Sequence, residues 1–262
     1  MNTIFYFTGT GNSLKLAKDI AEGVEYTSII PIPSVIDRVS DFVPQESVGF
    51  VFPVYYCGLP KIVQEFITAI DLSNASYVYV ACTYGANTGN AGCISQTRRI
   101  LKSKGKKLDA AFYVKSVDNF IIWAWDIPPT EKHPALHEGA RKKADHIANI
   151  VADKKAHFDL SFFEYIGPVM YRYNHFNKTV NTHDKAFYHA KSCTSCGLCA
   201  DVCPTKNICF ESGFPLWKSE TCQRCFACLH LCPAASIQYG NVTTKRRRYK
   251  NPYIEINELK RE

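Results

Sequence analysis

The sequence predicts an α/β fold: a doubly wound, five-stranded parallel sheet followed by a smaller C-terminal α+β domain. Three observations carry that expectation. Residues 3–155 alternate short apolar runs with helical patterns. The first run breaks into Thr8-Gly9-Thr10-Gly11-Asn12-Ser13 just before a helix opens. Eight of the 12 cysteines then fall into two copies of one spacing.

The elements follow in order. Strands are predicted over 3–7, 27–31, 47–52, 77–82 and 110–117, each an aliphatic, β-branched or aromatic run of strand length. Helical periodicity fills 13–22, 60–70 and 89–104 between them and 135–154 after them. An insertion over 118–134 separates the last strand from the last helix. Its Trp123 and Trp125 either roof a ligand or pack between domains. His133 and His137 are expected on the surface where that last helix begins. The domains are expected at 1–155 and 185–262, the second with a basic tail. Residues 156–184 are too aromatic for a flexible linker and read as a packed connecting segment.

A strand that breaks into glycines and opens a helix aims unpaired backbone N–H groups at one point, and the helix dipole attracts an anion there. Leu14 stands where a dinucleotide fingerprint needs its third glycine, and no Gly-Lys-Ser/Thr follows to make a P-loop. A plain strand-to-helix turn capped by Asn or Ser is the alternative. Two further loops, 54–60 ("VYYCGLP") and 83–92 ("TYGANTGNAG"), also leave the carboxyl ends of predicted strands, where open parallel sheets bind ligands.

Thr8 to Ser13 resembles the Thr-x-Thr-Gly-x-Ser/Thr loop of flavodoxins, which wraps the terminal phosphate of FMN. The resemblance implies phosphate held by Thr8, Gly9, Thr10, Gly11, Asn12 and Ser13. It implies the isoalloxazine ring between Pro53, Val54, Tyr55, Tyr56, Cys57 and Gly58 on one side and Thr83, Tyr84, Gly85 and Gly89 on the other. Tyr55 and Tyr56 are candidate stacking rings, with ordinary strand-end packing as the competing account. Flavodoxins reorient a glycine-adjacent peptide when the flavin is reduced, which points to Cys57–Gly58, where Gly58 lacks a Cβ to hinder the turn.

The cysteine runs read Cys-x-x-Cys-x-x-Cys-x-x-x-Cys-Pro twice, at a constant offset of 29: Cys193, Cys196, Cys199 and Cys203, then Cys222, Cys225, Cys228 and Cys232. Disulfides need an oxidising compartment to which nothing here points, and zinc leaves one cysteine of each run unexplained. The spacing is similar to that of bacterial two-cluster ferredoxins. That resemblance implies crossed ligation of two [4Fe-4S] clusters: Cys193, Cys196, Cys199 and Cys232 hold one, and Cys203, Cys222, Cys225 and Cys228 the other. The segments after the runs, "TKNICF" and "AASIQYG", are expected to be short strands that pair across the domain, with Cys209 in its core.

The formal net charge of +7 and the run 245–250 ("KRRRYK") look like a nucleic-acid signal. The bound cofactors, at about −2 each, bring the expected holoprotein near +1 and remove that signal's main support. No apolar run approaches the roughly 20 residues of a membrane span, and no signal-peptide pattern precedes the first strand. A cytoplasmic protein is expected. Taken together, the resemblances are to the flavodoxin-ferredoxin fusion proteins of anaerobes. They imply an electron-transfer iron-sulfur flavoprotein with FMN, two [4Fe-4S] clusters and protein redox partners, in which a homo-oligomer is left open. Two further readings stand beside it: a flavin-dependent reductase fed by the clusters, and a redox sensor.

Overall fold

In the computed structural model, strand β1 (Asn2–Tyr6) lies between two parallel partners, β2 (Thr27–Pro31) and β3 (Glu46–Pro53). The structure describes residues 1–85, 92–122, 126–159, 184–218 and 221–261. Beyond β3 come β4 (Ala75–Tyr84), β5 (Ala110–Lys115) and β6 (His157–Phe158), all parallel, in the order β2-β1-β3-β4-β5-β6. The strand order reverses beside β1, at the junction with β3, and the first two ligand loops leave from there. β1, β3 and β4 are buried on both faces, which is why they read as unbroken apolar runs rather than as alternation.

The sheet has one strand more than the sequence predicts. β6 is only His157–Phe158, too short for periodicity to reveal, and side chains hold it. The His157 ring stacks on Phe112 at 4.9 Å, and the Asp159 carboxylate accepts the Tyr113 N–H at 3.0 Å.

Helices α1 (Asn12–Glu22), α2 (Ile32–Val35), α3 (Lys61–Ala69), α4 (Cys93–Ser103) and α5 (His133–Ala152) complete the layers. α1 packs on α5, and α3 packs on α4. Under α3, the fully buried rings of Phe5, Phe50 and Phe66 meet at 4.9–6.4 Å.

The C-terminal part carries two separate two-stranded antiparallel sheets. β7 (Phe187–His189) pairs with β10 (Ile237–Tyr239), and β8 (Ile208–Glu211) pairs with β9 (Phe214–Trp217). The segments after the two cysteine runs are therefore strands, as expected, but they do not pair with each other. Gly213, with φ +84°, turns β8 straight back into β9, so β8 pairs with its neighbour in sequence while β10 pairs with β7. Cys209 then falls beside Leu216 on an outward face of that hairpin and is half-buried, not core.

The basic tail also departs from expectation. Past Thr243 the chain returns to the first sheet and lies along the loop between β1 and α1. Asn251 N–H donates to the Thr10 carbonyl at 2.8 Å, and Lys18 of α1 pairs with Glu258. Arg248 spends its guanidinium on the carbonyls of Thr243, Arg246 and Ile237, and Arg247 pairs with Asp126. Much of the basic run is thus internal structure.

Candidate cofactor sites

The loop after β1 is fixed before any ligand enters. Thr8 Oγ1 accepts the Gly11 N–H at 3.1 Å, and Gly11 takes φ +100°, a conformation glycine adopts without steric cost. α1 starts there with no side-chain cap, so its first N–H groups face the loop's concave side. The Ser13 and Thr83 hydroxyls meet at 2.8 Å, and Thr10 Oγ1 accepts from Asn119 Nδ2 at 3.0 Å. Thr8, Thr10 and Ser13 are all buried.

These groups line a cavity of about 250 Å³. Its walls include Thr8, Gly9, Thr10, Asn12 and Ser13, then Pro53, Val54, Tyr55, Tyr56 and Cys57, then Thr83, Tyr84 and Gly85. The three loops singled out in the sequence thus converge on one space. Gly11 and Gly58 support its walls without lining it, and Gly89, Trp123 and Trp125 lie outside the described residues. Hydroxyls, amides and an uncapped helix start together with aromatic rings in one lining suit a phosphate monoester on a flat heterocycle. The donor set therefore fits FMN.

Sequence reasoning missed two parts of this wall. Ser116, Val117, Asp118, Asn119 and Phe120 follow β5 and close one side. A Cβ on Gly85 would lie 2.4 Å from the Asp118 Cβ, so the absence of a side chain at Gly85 lets the two loops touch. Burial raises the Asp118 carboxyl above its usual range, although it accepts the Phe120 N–H at 3.0 Å. Arg224 and Phe226, from inside the second cysteine run, close another side, and no signal in the sequence links them to this cavity.

The turn after β3 differs from expectation. Tyr55 and Gly58 exchange two backbone hydrogen bonds of 2.9 Å, and the two residues between them, Tyr56 (φ +48°) and Cys57 (φ +61°), are both left-handed. This is a type I′ hairpin turn, usually built from Asn and Gly. Backbone strain therefore sits on Tyr56 and Cys57, while Gly58 is the pairing residue. The Tyr55 phenol is held well above its usual pKa by burial and by the thiols of Cys225 and Cys222. The Tyr56 ring meets Phe120 edge-on at 5.6 Å and lies 5.9 Å from the Arg224 guanidinium.

The two cysteine runs share their backbone as well as their spacing. Ser195, Gly197 and Lys206 are left-handed, and so are Arg224, Phe226 and Ala235, each 29 positions later. Cys199 lies within electrostatic range of Cys232, Cys193 and Cys196, whereas Cys222 feels Cys225 and Cys203. Cys228 feels Cys225, Cys203 and Cys222 first and Cys199 last. Backbone N–H groups of Asn207, Arg224 and Ser236 donate to the sulfurs of Cys203, Cys222 and Cys232 at 3.2–3.4 Å. Burial pushes the Cys199 and Cys225 thiols up to about 12, so these sulfurs become thiolates only beside a cation. Among the described residues no three candidate ligands converge tightly enough for a single ion. An all-thiolate donor set of four cysteines per group is the soft set that iron-sulfur clusters take.

One histidine ties the parts together. His230 donates from Nε2 to the Asn119 carbonyl at 2.7 Å and accepts the Tyr249 N–H at Nδ1 at 3.3 Å; burial presses its pKa to about 4. His137, expected on the surface, is instead half-buried against Tyr249 and Tyr253, while His133 bonds the Pro128 carbonyl.

A family model described as a flavodoxin domain matches residues 3–116, and one described as a 4Fe-4S dicluster domain matches residues 185–247. Among solved structures, the chain is similar to the Trp repressor binding protein from Bacillus subtilis, at 21% identity over 56% of this chain and 96% of that one, with a TM-score of 0.39. It is similar to two-electron reduced Megasphaera elsdenii flavodoxin (16% identity, 57% of this chain, 99% of that one, TM-score 0.37). It is also similar to rubredoxin oxygen:oxidoreductase from the anaerobe Desulfovibrio gigas (18% identity, 58% of this chain, 36% of that one, TM-score 0.37). A search of curated proteins finds no match. The two family models, matched in tandem, make this chain a flavodoxin domain fused to a 4Fe-4S dicluster domain, an electron-transfer protein of flavin and iron-sulfur type.

Proposed function

We propose that the chain conducts electrons between FMN and a protein partner through two [4Fe-4S] clusters arranged in series. Cys193, Cys196, Cys199 and Cys232 hold the outer cluster; Cys203, Cys222, Cys225 and Cys228 hold the inner one. The observation that carries this reading is the contact between the inner run and the flavin loop: a Cβ on Gly9 would lie 2.5 Å from the Cys225 carbonyl oxygen. A cluster ligand's backbone and the phosphate loop's backbone are thus in van der Waals contact. Burial supports the order: of the first four Cys199 alone is buried and Cys196 is exposed, whereas of the second four Cys203, Cys225 and Cys228 are buried and Cys222 is half-buried. FMN, when bound, exchanges electrons singly or in pairs and so joins one-electron to two-electron partners.

The chain's own residues hold and insulate. The hydroxyls of Thr8, Thr10 and Ser13 bind the phosphate, and the Tyr55–Gly58 turn and Phe120 wall the ring. Phe226 and the inner cysteines keep water from the gap between the two centres. The units 1–155 and 185–262, joined by 156–184, work as one body in the cytoplasm, where thiols stay reduced. The partner is a low-potential one-electron carrier. No described helix is long and apolar enough to cross a membrane.

Protein purified without oxygen should hold about eight iron and eight acid-labile sulfide per chain, and acid extraction should release FMN. In stopped flow, a reduced low-potential ferredoxin should bleach the flavin quickly, and NADH and NADPH slowly. An adenine-containing flavin, four iron, or fast saturable bleaching by a nicotinamide would overturn the reading.

A further inference from the structure

The two cysteine runs are equivalent in spacing and backbone, but not in what stands between the cysteines. The first run reads Cys-Thr-Ser-Cys-Gly-Leu-Cys and the second Cys-Gln-Arg-Cys-Phe-Ala-Cys. Ser195 and Arg224 occupy the same left-handed position 29 residues apart, at φ +55° and +49°. Ser195 is exposed, whereas Arg224 is only 6% exposed and lines the flavin cavity. Its neighbours follow suit. Gln223 Oε1 accepts the Ile62 N–H at the start of α3 at 3.1 Å, and Phe226 replaces the glycine of the first run to wall the cavity. The second run has therefore been turned into a docking face for the sheet domain.

A left-handed arginine costs on the order of 1–2 kcal/mol relative to glycine. The same conformation at Ser195 shows that the run's shared backbone imposes it, so what sets Arg224 apart is where its side chain lies. The side chain is held between two rings, 5.9 Å from the centroids of both Tyr56 and Tyr239. A cation so fixed and so little solvated acts at short range with little screening. Among the described residues the other titratable groups lining the cavity are Asp118, Tyr55, Tyr56, Tyr84 and Cys57, and none of these is a second cation.

We propose that Arg224 is the counter-charge shared by the flavin and the inner cluster, set so that the reduced flavin is held as an anion. This rests on the function proposed above. The balance is simple: two electrons arrive one at a time, each leaving one reduced cluster oxidised, and one proton comes from water. The flavin ring thereby gains one negative charge, opposite the guanidinium. Without Arg224, the nearby cluster's negative charge opposes that gain, and the ring takes a second proton instead.

The test is spectroelectrochemical titration of the flavin in the holoprotein between pH 6 and 9, on samples whose FMN and iron contents are measured first. Absence of FMN or iron would reject the function proposed above. With both present, fewer protons taken up per two electrons in wild type than in Arg224→Gln at the acid end of that range support the role of Arg224, and equal uptake in the two overturns it. Arg224→Gln should then shift the reduced/oxidised ratio at least tenfold toward oxidised, about 30 mV for a two-electron couple, and raise the proton count. Arg224→Lys should retain most of the wild-type potential. Equal potentials in wild type and Arg224→Gln, or equal shifts in the Gln and Lys variants, would show that packing alone is at work.

Discussion

Gly9 and Cys225 meet backbone to backbone, close enough that a methyl group on Gly9 would sit 2.5 Å from the Cys225 carbonyl oxygen. Gly9 is not among the left-handed glycines, so its backbone suits any residue and the constraint is purely one of contact. Gly9→Ala should therefore separate the two domains locally. Overpacking of this kind costs about 1–3 kcal/mol, equivalent to a fall of roughly 2–12 °C in Tm at this chain length. Calorimetry reads the stability, and flash reduction of the outer cluster followed at the flavin wavelength reads the coupling. Unchanged transfer between inner cluster and flavin in Gly9→Ala would show that the contact is no part of the electron path.

The crossed grouping of the thiols predicts paired losses. Cys203→Ala and Cys222→Ala should abolish the same EPR signal and leave about four iron. Cys232→Ala and Cys196→Ala should abolish the other. If Cys203→Ala matches Cys196→Ala, each run holds its own cluster and the crossing is wrong.

The returning C-terminal segment should govern FMN affinity. Asn12 Oδ1 accepts from the Tyr249 hydroxyl at 2.6 Å and from Asn251 Nδ2 at 3.0 Å, while Asn12 Nδ2 donates to the Val117 carbonyl at 3.0 Å. The amide is thereby pinned at the first residue of α1. Tyr249→Phe removes one bond worth about 1 kcal/mol, so FMN should bind apoprotein about fivefold more weakly by fluorescence quenching. The double variant with Asn251→Ala should lose more. Equal FMN affinity in wild type and the double variant would reduce the segment to a bystander.

Local pattern made the sheet and both ligand motifs legible. A strand-glycine-helix break and a duplicated cysteine spacing are encoded within a few residues, as is each buried strand. What the sequence concealed depends on residues far apart in the chain. Arg224 belongs to the flavin cavity only because Gly9 lets the cluster loop approach, and Tyr249 reaches Asn12 across 237 positions. Strand β6 was hidden by its length, and the type I′ turn by its composition, since Tyr56 and Cys57 carry none of the usual left-handed preference. Cys209 was misplaced because an alternation of apolar residues says which side chains share a face, and not which face is covered.

His137 should add to the acid-side loss of stability that His230, whose pKa burial presses to about 4, already imposes. Burial holds its pKa below the usual 6.5, and the nearby His133 and Lys15 push the same way. Its ring lies nearly parallel to Tyr249 at 6.4 Å and edge-on to Tyr253 at 5.4 Å, so it forms part of the seat of the C-terminal segment. Of the other charged groups near it, Lys15 pairs with Asp19, and Glu138 pairs with Lys142 at 2.6 Å. The sign follows from the lowered value: above pH 6.5 His137 is neutral both in the fold and in the unfolded chain, and contributes no slope. As pH falls through 6.5 the unfolded chain takes up a proton that the native ring resists, and stability is lost until the native value is passed. His137→Gln should therefore flatten the decline in Tm between pH 7 and 5 by at most one proton's worth, and keep FMN bound to lower pH. Parallel Tm profiles for the two proteins would place the titration elsewhere and leave His137 as packing alone.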